Sequence, residues 1–315
     1  MPKGFFTQGL VVLLERPVTL DAVADSLRAF DVRAVNPEAG PEWAFGGPSV
    51  VVAYREEVNG AVCVDLVERQ WPDHMGDTKQ EMMLFGAWSM GHFGPFAFPF
   101  GLQRAGQHCW AWEPACRIAE GHCGFIRLRS SYVFGGGDDA LIMPEDYDAE
   151  PELLFVTKLA SAVLELPGAL CYFNPGGEVL RDQDGLRESL NFAWSHKLPP
   201  LDVWCNIRLF KVNGEWSLMD SVGNGQLDIP DVEAGFHTDS YEPVEVDHFL
   251  RNVSLYLLKH EDDIIKDGDT MDGPGKVRWQ AMSFESGLSD PPRRVLRWLP
   301  VDGRSAPRAL VDIKT

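Results

Sequence analysis

The chain has 315 residues, 45% of them hydrophobic and 24% charged, enough to bury a core in one large domain or two ordinary ones. Its 47 Asp and Glu outnumber its 28 Lys and Arg, and the net charge of −19 repels phosphate backbones and anionic headgroups. That balance argues against nucleic acid or a membrane surface as partner and favours a basic protein.

The opening offers only Leu10 to Leu14 as an unbroken apolar run before Glu15, too short for a signal-peptide core. No window reaches the ~18 apolar residues of a membrane span. A cytoplasmic protein is expected, with its six cysteines reduced. A strand is predicted over residues 8–14 and a helix over 19–30, capped by Thr19 and apolar at Leu20, Val23, Ala24, Leu27 and Phe30. Residues 49–58 and 61–69 read as a hairpin turning on Asn59-Gly60. Residues 85–101 hold five Phe, one Trp and two Pro, so the segment predicts an irregular anchored loop, either plugging a core or lining a ligand cleft. A strand over 124–134 follows.

The second half repeats the pattern. A helix over 153–166, a strand over 169–173, a turn at 174–177 and a helix over 184–193 precede a second hairpin, 201–212 with 215–221, turning on Asn213-Gly214. A helix over 246–258 ends in charged residues 259–263, and a strand is predicted over 277–284. The fold class expected is α+β, with mixed or antiparallel sheets, packed helices and two halves, 1–150 and 151–315, whose shared grammar suggests a distant relation.

The negative charge is concentrated. Residues 138–152 carry Asp138, Asp139, Glu145, Asp146, Asp148, Glu150 and Glu152 without a Lys or Arg. Residues 228–247 repeat this with Asp228, Asp231, Glu233, Asp239, Glu242, Glu245 and Asp247. Such blocks steer cationic macromolecules, and equally keep a protein soluble. Other chemistry is fragmentary. His108, Cys109, Cys116, His122 and Cys123 combine zinc-type ligands at intervals that do not match paired knuckles, and buried cysteines in an aromatic core are preferred. Asp267, Asp269 and Asp272 fail the calcium-loop pattern at Met271 and Arg278. Ser89 has Ala87 where a nucleophile elbow needs glycine, and residues 135–137 lack the lysine of a phosphate loop. Asp73, Asp77 and His92 would form a hydrolase or small-ligand site only if the fold made them converge.

Four stretches, VVLLERPVTLDAVADSL, PPLDVWCNIRLFKV, SVGNGQLDIPDVEAGF and IIKDGDTMDGPG, resemble a bacterial domain-of-unknown-function family, DUF4261, departing from it at Asn224 and Gln226, where apolar residues are expected. The resemblance implies no catalytic residues and no cofactor. It implies the neighbourhood of secreted toxins and their immunity proteins. The expectation is a non-enzymatic immunity protein that neutralises a basic, nuclease-like toxin of a type VI or similar secretion system. Its contacts would be Asp138, Asp139, Glu145, Asp146 and Asp148, with Asp231, Glu233, Asp239, Glu242 and Glu245.

Overall fold

A computed structural model describes residues 3–38, 40, 42–137, 139–260 and 264–311. The chain is α+β and divides into two compact units, Met1–Trp204 and Cys205–Thr315. The division falls well after the expected break at 150/151, because residues 169–174 pair onto the first strand of the chain and residues 179–181 pair onto them.

The first unit runs β1 (Gln8–Leu14), α1 (Leu20–Ser26), β2 (Val32–Asn36), β3 (Ser49–Ala53), β4 (Ala61–Val67), α2 (Met82–Ser89), α3 (Gly101–Gln107), α4 (Ala115–Ala119), β5 (Gly124–Ser131), α5 (Ala149–Leu164), β6 (Ala169–Asn174), β7 (Val179–Arg181), α6 (Gln183–His196) and α7 (Leu201–Trp204). Its sheet has the order β2-β3-β4-β5-β1-β6-β7 with every pair antiparallel. β1 is buried along its whole length, which explains its unbroken apolar run: both of its faces are covered. α5 supplies one cover with Leu153, Val156, Leu159, Ala160 and Val163. On the other face Val11 and Leu13 join Trp71, Trp88, Phe93, Ala97, Phe125 and Phe173 in one cluster. The aromatic segment is thus a core plug whose first residues lie in α2. It reaches the sheet because Gly9 has no side chain: a Cβ there would stand 2.8 Å from the Gly94 Cα.

The second unit runs β8 (Asn206–Lys211), β9 (Trp216–Val222), β10 (Asp231–His237), α8 (Pro243–His260), β11 (Thr270–Asp272), β12 (Arg278–Phe284), β13 (Val295–Pro300) and α9 (Arg308–Val311). Its sheet has the order β11-β12-β13-β10-β9-β8, with β10 and β13 parallel and the other pairs antiparallel. α8 buries Val246, Phe249, Leu250, Val253 and Leu257. The strand orders of the two sheets differ, so topology gives the expected relation between halves no support.

Local expectations are met with shifts. Thr19 caps α1, its hydroxyl accepting the Ala22 amide at 3.2 Å. Both hairpins form, yet neither turns as a two-residue loop. Asn59 is left-handed, with φ 60°, at the end of a 3₁₀ turn, and residues 201–204 form the short helix α7 where strand was expected.

Both sheets bury charge. In the first, Arg127 forks onto Asp65, with Nε to Oδ1 at 3.2 Å and Nη2 to Oδ2 at 2.8 Å, and Arg129 adds Nη2 to Oδ1 at 2.9 Å. In the second, register sets Arg208, Asp220, Glu233 and Arg297 side by side across four strands. Arg208 forks onto Asp220, Arg293 reaches Asp220 as well, and Arg297 Nε donates to Glu233 Oε2 at 2.8 Å. Burial opposes ionisation of Asp65 and Asp220, but the neighbouring guanidinium groups outweigh it and hold both carboxyls below the ordinary aspartate range. Removing one member leaves the others charged and dry. Asp65→Ala and Asp220→Ala are each expected to cost ~3–5 kcal/mol of unfolding free energy, read from urea denaturation. A loss no larger than that of an exposed Asp→Ala control would contradict this account.

Candidate binding surface

The ten carboxylates predicted to meet a partner separate into distinct environments. Asp138 lies outside the described residues. Asp139, Glu145, Asp146 and Asp148 are exposed on the first unit. Asp239, Glu242 and Glu245 are exposed on the second, at and just before the start of α8. Asp231 and Glu233 are not surface groups, and their expected role is corrected. They lie on β10, 4% and 0% exposed. Asp231 accepts the Ser221 hydroxyl at 2.6 Å and the Asn224 amide at 3.1 Å, and Glu233 pairs with Arg297. Burial raises the Asp231 carboxyl above its ordinary value. A carboxylate sealed in a sheet cannot meet a partner. The alternation of Asp231-Val232-Glu233-Ala234 was the signal that they belong to a strand.

The first exposed group is built into a defined segment. β5 ends at Ser131, and the Asn59 amide grips the chain beyond it, donating to the carbonyls of Tyr132 at 2.7 Å and Phe134 at 3.4 Å. The Arg55 guanidinium meets Asp146 at 2.8 Å. Asp148 caps α5 by accepting the Glu150 amide at 3.1 Å. Between Asp139 and Glu145 stand Leu141, Ile142 and Met143, 60%, 55% and 40% exposed. Three adjacent apolar side chains in water, flanked by carboxylates, are uncommon in a surface built only for solubility. Sequence reasoning counted the charges of this segment and passed over its apolar centre.

Beneath the segment lies Glu152, on the first turn of α5 and fully buried. Its Oε1 accepts the Thr7 hydroxyl at 2.9 Å and its Oε2 the Tyr147 hydroxyl at 2.8 Å, and the Tyr132 hydroxyl bonds it too. Burial raises the Glu152 carboxyl above its ordinary value despite these donors. It also lifts neighbouring Tyr54, pushed to about 12 by its own burial and by the Glu152 charge.

On the second unit, Glu245 stands at the rim of an open groove of about 730 Å³ between α8 and the turn that follows β11. His248, Asn252, Asp272 and Lys276 complete its polar rim over Phe249 and Pro274. Arg278 already occupies Asp272 at 3.0 Å, and Lys276 offsets Glu245, so the groove presents little net charge.

The alternative catalytic trio is not assembled by bonding: among the described residues no hydrogen bond or ion pair joins Asp73, Asp77 and His92. Asp73 accepts the Leu102 and Gln103 amides at the start of α3, and Asp77 accepts the Lys79 and Gln80 amides in a turn. His92 meets Phe45 edge-on and receives Arg129 at 3.2 Å. Burial, then the charges of Arg129 and Arg127, lower its pKa to about 4, which keeps the ring neutral near pH 7. Among the described residues no group of three or more His, Cys, Asp or Glu is arranged to hold a metal ion. His122 accepts the Trp71 amide at Nε2, 2.7 Å, so its Nδ1–H donates to the Ala119 carbonyl at 2.6 Å. All six cysteines are free. Asp269 accepts the Lys266 amide, as turn residues do, and Asp267 accepts the Ser283 amide at the end of β12. No described helix is long and apolar enough to cross a membrane.

The model of a family described as "Domain of unknown function (DUF4261)" matches residues 220–299, which bears out the resemblance over that stretch. The third and fourth motifs, SVGNGQLDIPDVEAGF and IIKDGDTMDGPG, fall within it, and the first two do not. No curated protein and no solved structure matches the chain.

Because the folded state holds the Glu152 proton to higher pH than the unfolded chain, its contribution to stability is greatest below the ordinary glutamate pKa of ~4.3. That contribution is lost as pH rises through the raised value. Glu152→Gln removes the titration, so the stability of the wild type relative to this variant should fall from pH 4 upward, read from urea midpoints at each pH. A pH-independent difference would show that the carboxyl is not perturbed.

Proposed function

We propose that this DUF4261-like chain is a non-enzymatic immunity protein, cytoplasmic in location, that binds and neutralises a basic toxin of a bacterial secretion system such as type VI. The observation that carries the reading is the exposed segment 139–148, in which Leu141, Ile142 and Met143 stand among Asp139, Glu145, Asp146 and Asp148. Interfaces draw their residence time from desolvated apolar anchors and their encounter rate from complementary charge. The segment offers both. A toxin that acts on nucleic acid carries a cationic substrate cleft, and a carboxylate-rich surface can enter it in place of phosphate. On the second unit, Asp239, Glu242 and Glu245 are exposed carboxylates of the same sign.

The decisive experiment mixes the purified chain with the product of the neighbouring gene and follows association by stopped flow across a salt series. Asp139→Lys with Glu145→Lys should lower the association rate at least ~10-fold and flatten its salt dependence, since exposed charges act over a Debye length of ~8 Å at physiological salt. Leu141→Ser with Ile142→Ser should instead raise the dissociation rate. An association rate indifferent to both salt and charge reversal would remove the steering account, and absence of any complex would remove the reading itself.

A further inference from the structure

Glu152 is an expensive choice for the position it occupies. A fully buried side chain on the inner face of α5 would ordinarily be Leu or Met, like Leu153 and Val156 beside it, and a carboxyl there is tolerated only while hydroxyls satisfy it. The donors come from separate places in the chain: Thr7 immediately before β1, Tyr132 immediately after β5, and Tyr147 within the exposed segment. Of these, Tyr147 alone is part of residues 139–148. The Gln8 amide supports its hydroxyl at 3.4 Å, the Lys3 ammonium lies 4.6 Å from its ring centroid, and the Tyr132 ring meets it edge-on at 6.1 Å. A second side-chain tether of the segment, Arg55 with Asp146, is solvent-exposed on the aspartate side, where ion pairs hold weakly. A hydroxyl donating to a buried carboxylate is the stronger and more directional bond.

We propose that Glu152 is the positioning residue of the acidic and apolar segment: through Tyr147 it fastens residues 139–148 to the sheet in the conformation that displays Leu141, Ile142 and Met143 between their flanking carboxylates. The use made of the segment rests on the binding reading above, whereas the fastening belongs to the protein alone. A segment ordered beforehand loses less conformational freedom on docking, so the anchor regulates how readily the surface engages a partner.

Hydrogen exchange of the full chain, read by mass spectrometry with peptides covering residues 139–148, tests the fastening directly. The amides of Ala140 and Tyr147 are the reporters, because they bond to the carbonyls of Gly137, just before the segment, and Pro144, within it. Tyr147→Phe and Glu152→Ala should each speed exchange there at least ~10-fold while the amides of β1 and β5 keep their wild-type rates. Glu152→Gln, which retains an acceptor oxygen, should restore much of the protection. If Glu152→Ala does not fold, Tyr147→Phe decides, since it leaves the buried carboxyl and the ring in place. Unchanged exchange in the segment, or acceleration spread equally over β1, β5 and the segment, overturns the proposal. Local loosening supports it whether or not the neighbouring gene's product binds.

Discussion

Charge buried inside the two sheets is the constraint on which the rest of the molecule depends. A guanidinium or carboxylate in the middle of a sheet must meet its counterpart, and strand geometry allows this in one register only. In the second unit Arg208, Asp220, Glu233 and Arg297 are direct neighbours across β8, β9, β10 and β13. Slipping β10 by one residue would turn Glu233 to the opposite face and strand Arg297. An apolar row could match this stability, but it would tolerate the slip. The ionic row therefore specifies the pairing more than it strengthens it, and Asp65 with Arg127 and Arg129 does the same for β4 and β5.

The same constraint sorts the carboxylates that make the chain so acidic. Those at alternating positions of the central strands are consumed by buried partners, and most of those on loops and helix starts face water, Glu152 and Glu178 being buried exceptions. The sequence reading treated residues 228–247 as a single acidic block because it counted charge without period, and so missed β10. It recognised most other elements where a local rule dominates: β1 from its unbroken apolar run, α1 from Thr19, α5 and α8 from their apolar stripes. It mistook the turn at Asn59, whose side chain is drawn away to the carbonyls of Tyr132 and Phe134, seventy residues on. It had no means of finding the Glu152 cluster, whose members are scattered from Thr7 to Glu152. Asn224, an apparent departure from the family pattern, is buried and bonded to Asp231, Pro230 and Ser254, which explains a polar residue there.

The stretch that matches the family, residues 220–299, contains Asp220, Asp231, Glu233, Arg293 and Arg297. It holds three of the four members of the buried ionic row, Arg208 on β8 lying before it. Segment 139–148 lies outside it, on the other unit. Fold and function are commonly encoded apart, and the match covers β10 to β13 of the second sheet without touching the exposed segment.

That segment must also answer why its order matters when the chain as a whole is so strongly negative. Long-range attraction needs only net charge, and carboxylates anywhere on the surface would supply it. Their field, however, is screened within ~8 Å at physiological salt, so it brings a basic partner near without choosing how it docks. Docking is chosen at short range, by apolar side chains that find a pocket and by charges placed around them. Leu141, Ile142 and Met143 on a mobile loop would collapse onto the nearest apolar surface or lose most of their binding free energy in ordering. Held by Glu152 through Tyr147, with Asn59 gripping Tyr132 and Phe134 just ahead of the segment, they stay in water beside Asp139 and Glu145. The buried carboxylate thus converts a diffuse negative charge into a surface with a shape.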